Sequence, residues 1–581
     1  MKKLSELMSL RAKRSNPNKS FVSWIASSLG LLLAPRNDSG KFSLDLKYLV
    51  LLWILLGVGI FLTYAHHGHL IIDCGREVYY PTQILEGKLL YKDLFNIYGP
   101  FSYLFNAVLF KLFGINLNVL YLAGCFCAFL ITTLIYKIAR KFLTEIISFS
   151  IAFFTICTGV LNTNLFNFIF PYSYAMLYGM VAFLISFLFL AKYIQEPHKV
   201  LNLYLSGFFA GFCIANKYEF LPYLLVFLYM VLKIEKVSFK TILLLLLSIL
   251  SIPLVCFSIL FLQGMGINDL VLAFETVKKM AQSQTLKYFY TTQGVVLDKK
   301  TLGYLALNFA KTVTPILLMT WSFMMSKKWL SVLLIIFATA SGMIFMSPAS
   351  LTFLPVLILG LFILHFRKYK NEKIVLILAL SAILISLKSF WGLATLNYGV
   401  FFAGFLIVAI FALIENKFYQ KAIFVYIILL SLVLGFQNLS ELKDKSYCIQ
   451  TSRGKICSQK YLTKSSEDLI NFIDKNTKKT DSMVILPEGL VINFLMERKS
   501  DDYYNSLIPL YWEVFGDEKL IEYFEKTKPD YIVFSNWDNK DYYFRYICSD
   551  YAVSFCNYVA KNYRQEKIID NGFRYLIYRK K

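Results

Sequence analysis

The chain has 581 residues, of which 57% are hydrophobic and 17% aromatic, and its mean hydropathy of +0.56 excludes an ordinary soluble enzyme. Its formal net charge is +23, from 60 Lys and Arg against 37 Asp and Glu. The excess sits in short loops between apolar runs, and no basic nucleic-acid module is present, so the charge reads as membrane topology and not as nucleic-acid binding.

Residues 1–47 are basic (Lys2, Lys3, Arg11, Lys13, Arg14, Lys19) with one apolar patch at 21–35 that is too short to span. They read as a cytoplasmic segment that lies on the membrane surface, ahead of an uncleaved first anchor. Apolar runs then predict about thirteen spans, near 48–64, 119–136, 144–161, 174–191, 201–215, 220–232, 241–262, 312–325, 329–346, 351–366, 374–388, 398–414 and 421–437. The pair 201–215 and 220–232 is short and suits a re-entrant or tilted arrangement.

The loops predicted inside carry Lys137, Arg140 and Lys141; Lys192 and Lys199; Lys233, Lys236 and Lys240; Lys327 and Lys328; Arg367, Lys368, Lys370 and Lys373; and Lys417 and Lys421. The short outer loops 162–173, 347–350 and 389–397 contain no Lys or Arg. This alternation follows the positive-inside rule. It predicts a multi-pass protein of the cell (inner) membrane, with residues 48–437 as the membrane domain. The N-terminus is then cytoplasmic and residues 438–581 periplasmic or extracellular.

Three segments are expected outside. The first outer loop, 65–118, is the one long polar and aromatic passage in the first half of the chain. The second, 263–311, is amphipathic and broken by Gly264, Gly266 and Gly294, which suits short surface helices over a substrate. The third, 438–581, has strand-like runs at 483–486 and 531–534 with an amphipathic helix at 517–527, and reads as a soluble α/β domain. Here Cys448 with Cys457, and Cys548 with Cys556, form two nearby pairs expected as disulfides in an oxidising compartment. Their spacing is unlike a zinc site.

Chemistry concentrates where the first outer loop begins, in Asp73-Cys74-Gly75-Arg76-Glu77, followed by Lys88, Lys92, Asp93 and Tyr98-Gly99-Pro100. An acidic motif just after the first span, then an aromatic and proline-bearing segment, is similar to the GT-C superfamily of membrane glycosyltransferases. The likeness is to the branch that holds the protein O-mannosyltransferases and the lipid A aminoarabinose transferases, and in outline it covers the whole chain. The resemblance implies an α-helical polytopic fold with a C-terminal extracytoplasmic domain. It also implies an inverting transfer of a hexosyl or pentosyl group from a polyprenyl-phosphate sugar to an acceptor hydroxyl of a glycan, lipid or protein, at the outer face.

Such a reaction needs a carboxylate to take the acceptor's proton and cations to hold the departing phosphate. Asp73 matches the family's catalytic acid and is assigned as general base, with Glu77 orienting the acceptor, binding a cation or sharing the base role. The family motif often has its two acids adjacent, whereas Cys74, Gly75 and Arg76 separate them here, so the choice between Asp73 and Glu77 stays open. The plain alternative is that both acids cap the following helix. Arg76, Lys92 and Lys217 are the candidates for the phosphate. Lys217 stands in Asn216-Lys217-Tyr218-Glu219 between two short apolar runs, where a charge is costly unless it is paired or faces a polar cavity.

Tyr98, Glu219 and Glu488 are assigned to substrate. Tyr98 and Pro100 fall where the aminoarabinose transferases have a Lys-Pro-Pro-like segment, and this chain lacks that lysine. Glu488 lies in Pro487-Glu488-Gly489-Leu490, a strand-to-helix turn, in which Gly489 also reads as a turn residue chosen for backbone freedom. Asn536-Trp537-Asp538 is too degenerate an echo of the oligosaccharyltransferase signature to use. No metal site is assigned. His66, His67 and His69 read as interfacial histidines, and a divalent cation is left open as a cofactor. Two rival functions remain: an O-antigen polymerase or ligase, which a domain after the last span fits poorly, and a lipid-linked glycan transporter or flippase. The second expects ionisable groups within the spans, where Asp and Glu are almost absent.

Overall fold

The computed structural model describes residues 39–234, 238–293, 299–345, 351, 353–369, 372–387, 398–500 and 502–581. The expectations for residues 1–38 and for the loops 347–350 and 389–397 lie outside these residues. The chain divides at Leu51, and Leu52–Lys581 forms one compact unit.

Every predicted span overlaps a helix. In chain order the helices are α1 (Ser39–Thr63), α2 (Cys74–Leu85), α3 (Phe101–Phe113), α4 (Leu117–Ala139), α5 (Glu145–Gly159), α6 (Tyr174–Gln195) and α7 (Leu201–Asn216). They continue with α8 (Leu224–Tyr229), α9 (Phe239–Leu262), α10 (Ile267–Gln282), α11 (Gln284–Thr292), α12 (Lys299–Met324), α13 (Lys328–Phe345), α14 (Leu354–Tyr369), α15 (Lys373–Ile385), α16 (Gly399–Leu413) and α17 (Lys417–Ser440). Among the described residues five helices are long and apolar enough to cross a membrane: Leu44–Thr63, Leu117–Ala139, Tyr174–Gln195, Phe239–Leu262 and Lys417–Lys443. Others, such as Glu145–Gly159, Leu201–Asn216 and Gly399–Leu413, are apolar but only 10–17 residues long.

The apolar pattern sorts these helices. α16 carries no charged residue and is buried along nearly its whole length, as a helix hydrophobic on every face must be. α9 instead exposes Leu246, Leu250, Leu254 and Leu262, a surface suited to lipid. The short pair after α6 is α7 followed by a 3-10 turn (Tyr218–Tyr223) running into α8.

The segment after α1 folds as α2 and α3, and residues 263–293 fold as α10 and α11. The two pack together through a core that includes Tyr79, Leu90, Leu94, Leu260 and Met265.

The C-terminal region holds a hairpin of β1 (Tyr447–Thr451) and β2 (Gly454–Ser458), closed by the Cys448–Cys457 disulfide between cross-strand partners. A four-stranded sheet in the order β3-β4-β6-β5 follows, from β3 (Met483–Leu486), β4 (Tyr531–Ser535), β5 (Tyr563–Asp570) and β6 (Arg574–Lys580). β3 and β4 are parallel, while β6 pairs antiparallel with both β4 and β5. Helices α18 (Lys460–Asn476), α19 (Leu490–Met496), α20 (Pro509–Thr527) and α21 (Val553–Asn562) complete this domain. One face of the sheet buries Val484, Leu486, Ile532 and Phe534 with Leu520, Phe524 and Phe555. The second expected disulfide, Cys548–Cys556, is also present.

Candidate functional site: a carboxylate and tyrosine cleft

Each residue of the Asp73–Glu77 motif has a separate task. Asp73 occupies the N-cap position of α2 with φ 57° and ψ −58°, yet its side chain makes no capping hydrogen bond. A non-glycine residue at positive φ is held there only by its surroundings, a kind of strain that collects at functional sites. Cys74 is fully buried, its thiol directed at the Pro171 carbonyl. Gly75 permits close packing, because a Cβ there would lie 2.6 Å from Leu490 Cβ at the start of α19. Arg76 turns back to Asp73, with Nη2 3.4 Å from Oδ1.

Glu77 points the other way. It is 1% exposed, and its Oε2 accepts the backbone N–H of Tyr174 at 3.0 Å, capping the first turn of α6 where Ser173 makes no cap. The alternative that both acids cap the following helix is thereby corrected: Asp73 makes no capping hydrogen bond to α2, and Glu77 caps α6. Burial pushes Glu77 up to about 7, against the Tyr174 N–H, Arg76, Lys217 and the Tyr103 hydroxyl.

Lys217, at the end of α7, stands within electrostatic reach of Asp73. It is 1% exposed, its Nζ donates to the Tyr172 hydroxyl at 2.9 Å, and the rings of Tyr98 and Tyr172 each lie 4.7 Å from it. Glu219 Oε1 is 3.6 Å away, so the lysine is paired, inside an aromatic cage. Arg76 also lies over the Tyr98 ring, at 5.7 Å. Two cations thus share one tyrosine. Its loop is pinned by Gly99, whose N–H donates to the Asn216 carbonyl at 3.1 Å and whose missing Cβ would meet Ala215 O at 2.2 Å.

The C-terminal domain supplies the opposite wall. Glu488 follows the carboxyl end of β3, the edge at which parallel α/β sheets present their loops, and accepts from Ser506 Oγ at 3.2 Å. Gly489 adopts extended backbone (φ 164°). It is required because a Cβ would lie 2.4 Å from Ile485 Cγ2, so close packing and not turn freedom selects it. Tyr511 on α20 lies 3.5 Å from Arg76 Nη1. Tyr542 stands within electrostatic reach of both Asp73 and Glu488.

Both carboxyls stand above their ordinary range. The Asp73 side chain keeps 36% exposure but lies deep among protein groups. Desolvation moves it above the usual Asp range, with Arg76 and Lys217 opposing. Desolvation and the charge of Asp73 push Glu488 up to about 8, with Arg76 and Ser506 opposing.

Asp73, Arg76, Tyr98, Lys217, Glu219 and Glu488 are therefore brought together, and Lys92 is not. Lys92 is exposed, donates to the Gly264 carbonyl at 3.0 Å, and ties the two loop segments to each other. Sequence reasoning missed Tyr172, Tyr511, Ser506 and Tyr542, and only Tyr172, in a short loop free of Lys and Arg, offered a signal. α11 reaches the rim, where Phe289 stacks on Tyr542 at 5.1 Å and Glu513 accepts from the N–H groups of Gln284 and Thr285. Trp537 packs on the His69 ring at 5.2 Å, and Asp538 pairs with Arg545.

Among the described residues no three His, Cys, Asp or Glu side chains form a metal-binding group. His67 Nε2 contacts the Val160 carbonyl, and His69 Nδ1 accepts from the N–H groups of Ile71 and Ile72.

An apolar cavity of about 750 Å³ lies between α3, α4, α6 and α7. Its walls include Phe101, directly after Pro100, and Phe212, on the helix that ends at Lys217. Phe105, Leu122 and Phe126 line it at the exposed apolar surface.

The fold and cleft define a membrane protein with an α/β domain closing over a loop of its helical part. No protein-family model matches the chain, and no curated protein matches it in sequence. Among solved structures it is similar to ArnT from Cupriavidus metallidurans bound to undecaprenyl phosphate. The identity is 11%, covering 91% of this chain and 98% of that one, with a TM-score of 0.44. It is also similar to the archaeal oligosaccharyltransferase AglB from Archaeoglobus fulgidus, in complex with an inhibitory peptide and a dolichol-phosphate. There the identity is 10%, covering 85% of this chain and 70% of that one, with a TM-score of 0.45.

Proposed function

We propose that the protein is an inverting glycosyltransferase that moves a sugar from a polyprenyl-phosphate donor to an acceptor hydroxyl at the outer face of the cell membrane. The observation that carries this reading is Asp73. It is a carboxylate at a helix N-terminus that spends nothing on capping and faces a cleft with Arg76 and Lys217 arranged around Tyr98. The acceptor oxygen attacks the anomeric carbon and its proton passes to Asp73. The bond from that carbon to the phosphate oxygen breaks, and the phosphate leaves with the electron pair, held by Arg76 and Lys217. The sugar inverts because attack and departure occur on opposite faces.

Two further features support the reading. The apolar cavity is walled in part by Phe101 and Phe212, on the segments that carry Tyr98 and Lys217, and has the size and lining of a ligand site, so it suits the isoprenoid tail. The two disulfides suit an oxidising compartment outside the cytoplasm. Transfer of label from radiolabelled polyprenyl-phosphate sugars to an envelope acceptor extract, by the full chain in nanodiscs, tests the proposal. Label that binds or crosses the membrane without transfer, across several donors, would replace it with a transporter.

A further inference from the structure

We propose that a second apolar cavity, between α12, α14, α16 and α17, is a phospholipid site that takes one acyl chain of an anionic phospholipid, with the headgroup at a basic rim of helix ends. The site is separate from the cleft and does not rest on the glycosyltransferase reading.

The cavity has a volume of about 550 Å³, within the range of ligand sites. α12 packs on α17 and α14 packs on α16, and the cavity is the space left between these two pairs. Its walls are aliphatic, with Ile316 and Leu317 on one side and Leu357 and Leu361 on the other. Thr312 and Thr320 also line it, but their hydroxyls donate to the Asn308 and Ile316 carbonyls of their own helix, so neither proton is left for an occupant. Leu317 is exposed, which opens this wall to the surrounding lipid. Along α17 the lining runs from Asn416 to Leu430, a rise of about 21 Å. Half of a bilayer's hydrocarbon core is about 15 Å thick, so the slot is long enough for one acyl chain.

Charge complementarity names the head of that chain. His365, Glu415 and Asn416 line one end of the cavity. Glu415 is neutralised there, because it pairs with Lys368 and accepts from the Tyr369 hydroxyl at 3.0 Å. Arg367 and Lys417 stand exposed beside these residues in sequence, with Lys421 one turn further along α17. Phe323 packs on Phe418 at 5.7 Å, which brings the last turn of α12, followed by Lys327 and Lys328, to the same end. Against these cations the adjoining turns hold only two acids, the paired Glu415 and Glu372. An aliphatic slot under a cationic rim fits a phosphate joined to a long apolar tail.

Position separates this lipid from a polyprenyl-phosphate donor. Tyr398 directly precedes α16 and its ring lies 5.7 Å from that of Tyr172, the residue that holds Lys217. Leu413, the last residue of α16, lines the cavity instead. The 15-residue helix puts about 22 Å between its two ends. A phosphate at the basic rim is therefore a helix length from the cleft, and the occupant is a bilayer lipid of the leaflet that the Lys- and Arg-bearing loops face.

The test is native mass spectrometry of the full chain, taken from nanodiscs that hold phosphatidylglycerol and phosphatidylcholine in equal amounts with the same acyl chains, and a smaller share of a polyprenyl phosphate. The expected result is one phosphatidylglycerol retained per chain after detergent exchange, favoured over phosphatidylcholine by roughly fivefold or more. Leu317→Trp, which fills the slot from its exposed wall, should remove that lipid. Arg367→Gln combined with Lys417→Gln should keep a lipid but bring the two headgroups near parity. Equal retention of both phospholipids by wild type, polyprenyl phosphate retained in their place, or retention unchanged in Leu317→Trp overturns the proposal. An undiminished preference in the doubly substituted chain overturns it as well. If Leu317→Trp fails to fold, Leu361→Trp on the opposite wall is read in the same way.

Discussion

The carboxylate of Glu77 accepts the backbone N–H of Tyr174, 97 positions along the chain, at 3.0 Å. A helix N-terminus leaves its first N–H groups without intrahelical partners, and this contact satisfies one of them inside the protein. Glu77→Ala should leave that N–H buried and unpaired, at a cost of about 1–3 kcal/mol, read as a lower thermal midpoint. Glu77→Gln keeps an acceptor oxygen and should fold. Because burial raises Glu77 to about 7 from 4.5, the fold prefers its protonated form. Its contribution is full below pH 4.5 and is lost as pH rises through 7. The stability advantage of Glu77→Gln over wild type should therefore widen between those values.

Asp73→Asn should lower transfer by roughly 10²–10⁴-fold while donor binding, followed by fluorescence of the tyrosine cage, is kept. Because desolvation raises Asp73 above the ordinary Asp range, the wild-type rate should fall on the acid side at a pH above that range, as the base gains its proton.

The two lysines once grouped as phosphate ligands should separate. Lys217→Gln should raise the donor KM by roughly tenfold or more, since a charge-assisted contact contributes about 1.5–3 kcal/mol. Lys92→Gln, on the exposed loop, should leave donor KM unchanged. Equal effects in both variants would count against the Lys217 cage as the phosphate site.

Gly75→Val should force Leu490 away from α2, because the position 2.6 Å from Leu490 Cβ has no room for a side chain. Overpacking of this kind costs about 1–3 kcal/mol. Faster proteolysis of the C-terminal domain and loss of transfer should appear together.

How much of this was legible depends on range along the chain. Asp73 and Arg76 stood out because charge is conspicuous beside an apolar span, and Lys217 because it interrupts two apolar runs. The disulfides were legible because each joins cysteines 8 or 9 positions apart. The partner of Glu77 was not legible, because a backbone N–H has no sequence signature and lies 97 positions away. The exposure of Lys92 was not legible, because a local pattern does not show it. Tyr511 and Tyr542 are two of 39 tyrosines, and only the docking of the C-terminal domain sets them apart. Thirteen runs were readable as apolar, but apolarity does not fix length, and only some of the helices reach across a bilayer on their own.

The contact between Arg76 and Tyr511 joins residues 435 positions apart. At ribosomal rates of about 5–20 residues per second, their emergence is separated by roughly twenty seconds to a minute and a half. Throughout that interval the helical part is already being inserted, with Asp73 in place but without Glu488, Tyr511 or Tyr542 across from it. The growing chain therefore carries Asp73 without the C-terminal groups that help to desolvate it in the finished fold. On the proposed function, transfer would begin only once the polypeptide is finished, and a nascent copy in the bilayer would not act on the lipids around it.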